Sequence, residues 1–159
     1  MSFENELNQL YEKIAYQVHD IIPTEWDTFC FNGEVKEKDG GVFFFFKPTE
    51  KEEYVYSHFI PSLYGLDKKV YSKGLHQLFQ LTVDLQRVFL ENSQEPWFSV
   101  TLILERTGKL NVKFDYTDWH SSEFGPSDRI MYFEYKYVRQ IDEPIDMRLI
   151  EKMKAFEGM

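Results

Sequence analysis

Apolar and polar positions change their period several times along the chain, and each change marks an element. Phe3, Leu7, Leu10, Ile14, Val18 and Ile21 recur at helical spacing, with Glu4, Asn8, Glu12 and Asp20 between them. This pattern predicts an amphipathic helix over residues 3–22 with one core stripe. Ser2 stands at the N-cap, and Pro23 ends the segment by forcing the residue before it out of the helical region. Two strands follow, Trp26 to Val35 and Val42 to Lys47, joined by the turn KEKDGG. Phe43 to Phe46 is apolar on both parities, which requires cover on both faces and so an inner strand. Tyr54 to Phe59 reads as a further strand ending before Pro61, with Ser62 to Gly65 as a loop.

Asp67 caps a second long helix that runs to about Asn92, its stripe made by Leu75, Leu78, Leu81, Leu85, Val88 and Phe89. Gly74 inside it costs about 1 kcal/mol relative to alanine, and marks either a close packing contact or a late helix start. Next comes a hairpin. Phe98, Val100, Leu102 and Leu104 alternate, and so do Leu110, Val112, Phe114 and Tyr116. A two-residue loop would place these two sets on opposite faces. A three-residue loop, Arg106-Thr107-Gly108, pairs Leu104 with Leu110, Leu102 with Val112, Val100 with Phe114 and Phe98 with Tyr116. It also puts Gly108 at the left-handed position that a glycine occupies without strain. Glu105 then faces Lys109 and Thr101 faces Lys113, so one face is core, Phe114 included, and the other is wet.

Residues 128–139 fit two periods. Ile130, Phe133 and Tyr137 suit a helix, while Met131, Phe133, Tyr135 and Tyr137 suit a strand. Ser127 as cap and the preceding Pro126 favour the helix. Pro144 breaks it, and Asp146 to Phe156 forms a short, charged terminal helix. The expected fold is α+β: one domain over residues 1–159, with a mainly antiparallel sheet, two long helices packed on one face and short C-terminal helices.

Composition narrows the function. The 159 residues hold 18 basic and 27 acidic side chains, a formal charge of −9. That balance argues against a direct nucleic-acid binder, which gathers positive charge on one face. It suits a basic protein partner, although acidity also serves solubility alone. Aromatics at 18% and hydrophobics at 43% argue for a packed core rather than a disordered acidic tail. The single cysteine, Cys30, lies between Phe29 and Phe31 and reads as a buried, inert thiol. The N-terminal stretch lacks a basic start followed by an apolar block, and no run is long enough to span a bilayer, so the cytoplasm is the expected compartment.

The usual catalytic constellations do not emerge from the residues. His19, His58, His76 and His120 show no metal-ligand spacing, the glycines follow no nucleotide-binding pattern, and no Gly-x-Ser-x-Gly elbow is present. No cofactor and no metal are therefore expected. One cluster stands out: Asp115, Asp118 and Glu123, interleaved with Trp119, His120 and Phe124. A solvated face, a divalent-cation site of a small metal-dependent enzyme and a contact surface for a basic protein all fit this composition. An acidic scaffold protein is the remaining alternative.

Glu95-Pro96-Trp97, Ser99, Gly108, Leu110 and Val112 lead into Phe114-Asp115-Tyr116, Asp118-Trp119 and Ser122-Glu123-Phe124-Gly125, with Arg129, Tyr132 and Tyr135 beyond. With Ile22-Pro23, Glu25-Trp26 and the strand from Gly41 to Phe46, this pattern resembles the YezG/EsaG-like family of antitoxin or immunity proteins over nearly the whole chain. The resemblance implies a non-enzymatic, cytosolic protein of Gram-positive bacteria. Its partner would be a cognate nuclease toxin domain carried by a type VII secretion substrate. Joined to the acidic reading, it makes Asp115, Asp118, Trp119, Glu123 and Phe124 the expected toxin-binding residues.

Overall fold

The structure, a computed structural model, describes residues 2–37, 39–139 and 145–159. It resolves into two compact units, Met1–Tyr116 and Thr117–Met159. The fold is α+β, and the larger unit holds its sheet.

In the larger unit, helix α1 spans Phe3–Ile21, with the Ser2 hydroxyl accepting the Asn5 amide. Strands β1 (Trp26–Lys36), β2 (Asp39–Pro48) and β3 (Val55–Tyr56) follow. Then come helices α2 (Ile60–Tyr64) and α3 (Lys68–Glu91), and strands β4 (Ser99–Glu105) and β5 (Leu110–Asp115). The five strands form one sheet in the order β3-β2-β1-β4-β5, every neighbouring pair antiparallel. Because side chains alternate along a strand, Phe29, Phe31, Phe44, Phe46, Val100 and Leu102 share the face covered by α1 and α3. Each such side chain, fully buried, contributes about 1.5–3 kcal/mol. The helices contribute Ile14, Val18, Leu78 and Leu85, all completely buried.

Two glycines set how close the layers come. A Cβ on Gly33 of β1 would lie 2.6 Å from the Thr82 methyl of α3, so glycine lets the helix rest directly on the strand. Gly74 meets Ile21 of α1 in the same way, and its carbonyl accepts the Gln17 side-chain amide at 3.0 Å. The Gly74 signal thus marks a close packing contact. Gln86, buried on α3, donates to the carbonyls of Trp97 and Val35 at 2.7 and 3.3 Å, tying the helix to the strand ends.

The hairpin register follows the three-residue loop. Leu104 pairs with Leu110, Leu102 with Val112 and Val100 with Phe114, while Gly108 sits at φ 98. The second face is wet at Lys109 and Lys113, as expected, but not at Thr101: Ser99 and Thr101 are buried along with Cys30, Asn32, Phe43 and Phe45. Asn32 donates to the Thr101 hydroxyl at 3.1 Å, so this polar pair is satisfied inside the protein. Burial pushes the Cys30 thiol up to about 12.

Other expectations need correction. Lys36 pairs with Asp39, so the first hairpin is tighter than KEKDGG suggested and Gly40 and Gly41 belong to β2. Gly40 lies so near the Glu34 carbonyl that no side chain fits there. Residues 54–59 are mostly not strand. After Val55–Tyr56 the chain enters a 3-10 turn over Ser57–Phe59, and the Ser57 hydroxyl accepts the Phe44 amide at 3.1 Å in place of a ladder bond. Residues 62–65 are not a loop either: α2 starts at Ile60 with Pro61 in its first turn, and Gly65 closes it at φ 66. Proline suits a first helical turn, where its missing N–H has no intrahelical partner to lose.

In the smaller unit, α4 spans Pro126–Phe133 and continues as a π-helical turn over Glu134–Val138. The helical reading of this segment holds, but Gly125 rather than Ser127 is the cap, its amide donating to the Asp128 carboxylate at 3.1 Å. Pro144, expected to break this helix, lies outside the described residues. Helix α5 spans Met147–Glu157, capped by Asp146, with Ile150 and Met153 fully buried. Among the described residues no helix is long and apolar enough to cross a membrane.

Candidate functional site

Of the five residues singled out by sequence, Asp115 belongs to the larger unit. It is the last residue of β5, pairs with Ser99 and is half-buried, its carbonyl accepting the Phe98 amide at 2.7 Å. The other four share one stapled turn of the smaller unit. Trp119–Ser121 form a 3-10 turn behind Asp118, whose carboxylate accepts the Ser121 hydroxyl. The Ser122 hydroxyl donates to the Trp119 carbonyl and accepts the Phe124 amide. Arg129 on α4 donates to the Phe124 carbonyl at 2.8 Å, which closes the loop onto the helix.

This stapling sorts the side chains. Trp119, 4% exposed, lies 5.3 Å from Phe156, 5.9 Å from Tyr132 and 6.0 Å from Phe124 between ring centroids. Phe124 is buried against Phe156 as well. The two rings therefore form the floor of the loop, while Asp118 and Glu123 face solvent. No cation pairs with Glu123 among the described residues. Below the floor, Glu157 accepts the Tyr132 hydroxyl at 2.8 Å and Lys136 at 3.1 Å, and the Lys136 ammonium lies 4.6 Å from the Tyr132 ring centroid. No three His, Cys, Asp or Glu side chains among the described residues are grouped to hold a metal ion.

The larger unit carries a second concave feature. Asn8, Tyr11, Glu12, Ala15, Tyr16 and His19 recur at three- and four-residue steps along α1 and line one wall of an open groove of about 730 Å³. Trp26, Leu104, Gly108 and Leu110 line the other. The Trp26 indole N–H donates to His19 Nδ1 at 3.1 Å, which fixes both rings at the end of the groove. Burial raises the Tyr11 phenol above its ordinary value of 10.0. Reading α1 as a helix with one core stripe missed this second stripe, although its spacing is plain in the sequence.

Comparison with known proteins gives one consistent answer. A family model described as "Immunity protein YezG-like" matches residues 7–151. The immunity protein YezG of Bacillus spizizenii is 31% identical over 155 residues, spanning 96% of each chain. The type VII secretion system protein EsaG of Staphylococcus aureus is 33% identical over 136 residues, 86% of this chain and 83% of its own. The immunity protein YezG of Bacillus subtilis is 31% identical over 140 residues, 88% and 93% respectively.

Proposed function

The chain belongs to the YezG-like family of immunity proteins, and from that premise we propose that it binds a cognate nuclease toxin domain and blocks it without catalysing a reaction. The observation that carries this reading is the match over 96% of both chains to a protein named for immunity. The similarity to a type VII secretion system protein supports a toxin made for that export route, met in the cytoplasm of the producing cell.

A nuclease must collect positive charge, and often a metal, around the site where it grips phosphates. An inhibitor with a charge of −9 competes for those cations and repels the nucleic acid that would otherwise occupy them. In this reading Asp118 and Glu123 make the contact, and Trp119 and Phe124 fix the shape of the loop that presents them; Asp115, on β5 of the larger unit, is the fifth residue proposed for toxin binding. Charge-complementary contacts of this kind act strongly on association rate and on partner choice.

The test is a tagged pull-down from the source cells, read by mass spectrometry, followed by calorimetry with the recovered domain. Recovery of a large secreted-type protein with a basic C-terminal domain, whose nuclease activity the purified chain suppresses, is the expected result. A toxin that binds equally well after Asp118→Lys with Glu123→Lys would remove the loop from the binding face. Failure of the chain to suppress any recovered toxin would overturn the immunity reading itself.

A further inference from the structure

We infer that the groove between α1 and the tip of the β4–β5 hairpin is a pocket for an arginine side chain of a protein partner. The occupant's protein nature rests on the immunity reading above; its chemistry follows from the groove. The floor is half-buried aromatic and apolar surface from Tyr11, Trp26 and Leu104, while Tyr16 and Leu110 stand 69% and 37% exposed at the rim. Isolated exposed apolar residues need no explanation, but here they meet across one concavity.

Within that concavity the only carboxylate is Glu12, exposed and without a cation partner among the described residues. Among the described residues no lysine or arginine lines the groove, and His19 Nδ1 already holds the Trp26 indole. The site thus offers π faces and one negative charge that no described lining residue neutralises. A guanidinium matches this combination better than an ammonium, because it is planar, weakly hydrated and stacks on aromatic faces while it pairs with a carboxylate. The Trp26–His19 bond adds preorganisation, since the end ring need not be ordered on binding.

The test uses the full chain, labelled with nitrogen-15, and a capped Gly-Ser-Arg-Ser-Gly peptide, with a citrulline twin that keeps the shape and loses the charge. Saturable shifts confined to α1, the hairpin tip and the Trp26 indole are expected, with the citrulline peptide at least about five-fold weaker. Glu12→Gln should bring the arginine peptide down to the citrulline level, and Tyr16→Ala should weaken it further. Glu12 and Tyr16 are exposed, so both variants should keep a dispersed spectrum that certifies folding. Absence of saturable shifts, equal binding of the two peptides, shifts spread over the whole acidic surface, or indifference to Glu12→Gln would each overturn the pocket. The titration contains no toxin, so its failure leaves the immunity reading to the pull-down, and failure of the pull-down leaves the pocket to the titration.

Discussion

The two units reach order by different means. In the larger one, backbone ladders do the organising: alternating Phe29, Phe31, Phe44, Phe46, Val100 and Leu102 come into register and two helices close over them. In the smaller one no strand is present among the described residues. Its order comes from rings packed edge-on or tilted around Trp119 and from side chains that bond to nearby backbone, as Ser122 and Arg129 do. A ladder spreads stability over many equivalent bonds, whereas a stapled loop concentrates it in a few named groups. The difference teaches where substitutions should be felt widely and where locally.

The strongest way to break the comparison is to remove one large ring from each unit. Phe31→Ala and Trp119→Ala should each cost about 3–5 kcal/mol. For Phe31 the loss should lower the urea midpoint of the sheet. For Trp119 it should show first as faster amide exchange in α4 and α5, and identical exchange patterns in the two variants would erase the distinction. Caps come next, at about 1 kcal/mol each by urea unfolding. Asp67→Ala should cost more than Asp146→Ala, because Asp67 accepts two amides, at 2.7 and 3.3 Å, and Asp146 one, at 3.2 Å.

A smaller effect belongs to pH. Burial holds His58 below its ordinary value of 6.5, and its Nδ1 lies 2.9 Å from the Tyr71 hydroxyl. Below pH 6.5 the unfolded chain takes up a proton there that the folded chain refuses, so stability falls as pH drops from 6.5 toward the lowered value. One side of His58 faces solvent, so the slope should be shallow, and His58→Asn should flatten it in denaturation curves at pH 7 and 5.5. The smallest change in stability is expected for Glu123→Lys, within about 0.5 kcal/mol. The same variant should weaken toxin binding about ten-fold or more by calorimetry, and unchanged affinity would separate Glu123 from the binding face.

These contrasts also explain what the sequence disclosed. The hairpin register was legible because period-two alternation and Gly108 leave one consistent pairing. Helices α1 and α3 were legible because Ser2 and Asp67 precede long stripes. Pro61 misled: a proline after an aromatic run reads as a stop, yet here it sits in the first turn of α2, and Ser57 accepts the Phe44 amide at the β2 edge. In the loop, the residues flagged for binding divide into buried rings and exposed carboxylates. No periodicity encodes that division, since hydroxyl-to-backbone staples set it. The groove stripe on α1 stayed hidden for another reason: Tyr11 and Ala15 lie beside the core stripe and read as its margin.

Cys30 gives the sheet an unplanned use. It is the only thiol in the chain, lies on a central strand and has its ionisation pushed up to about 12. At neutral pH the reactive thiolate is nearly absent while this face of the sheet stays covered, and more of it forms once the thiol meets water. The rate at which a thiol reagent consumes it in the native protein therefore clocks the uncovering of the sheet face that Cys30 shares with Asn32 and Phe45. The unaltered chain carries its own stopwatch for that motion, and a bound partner that stabilises the larger unit should slow it.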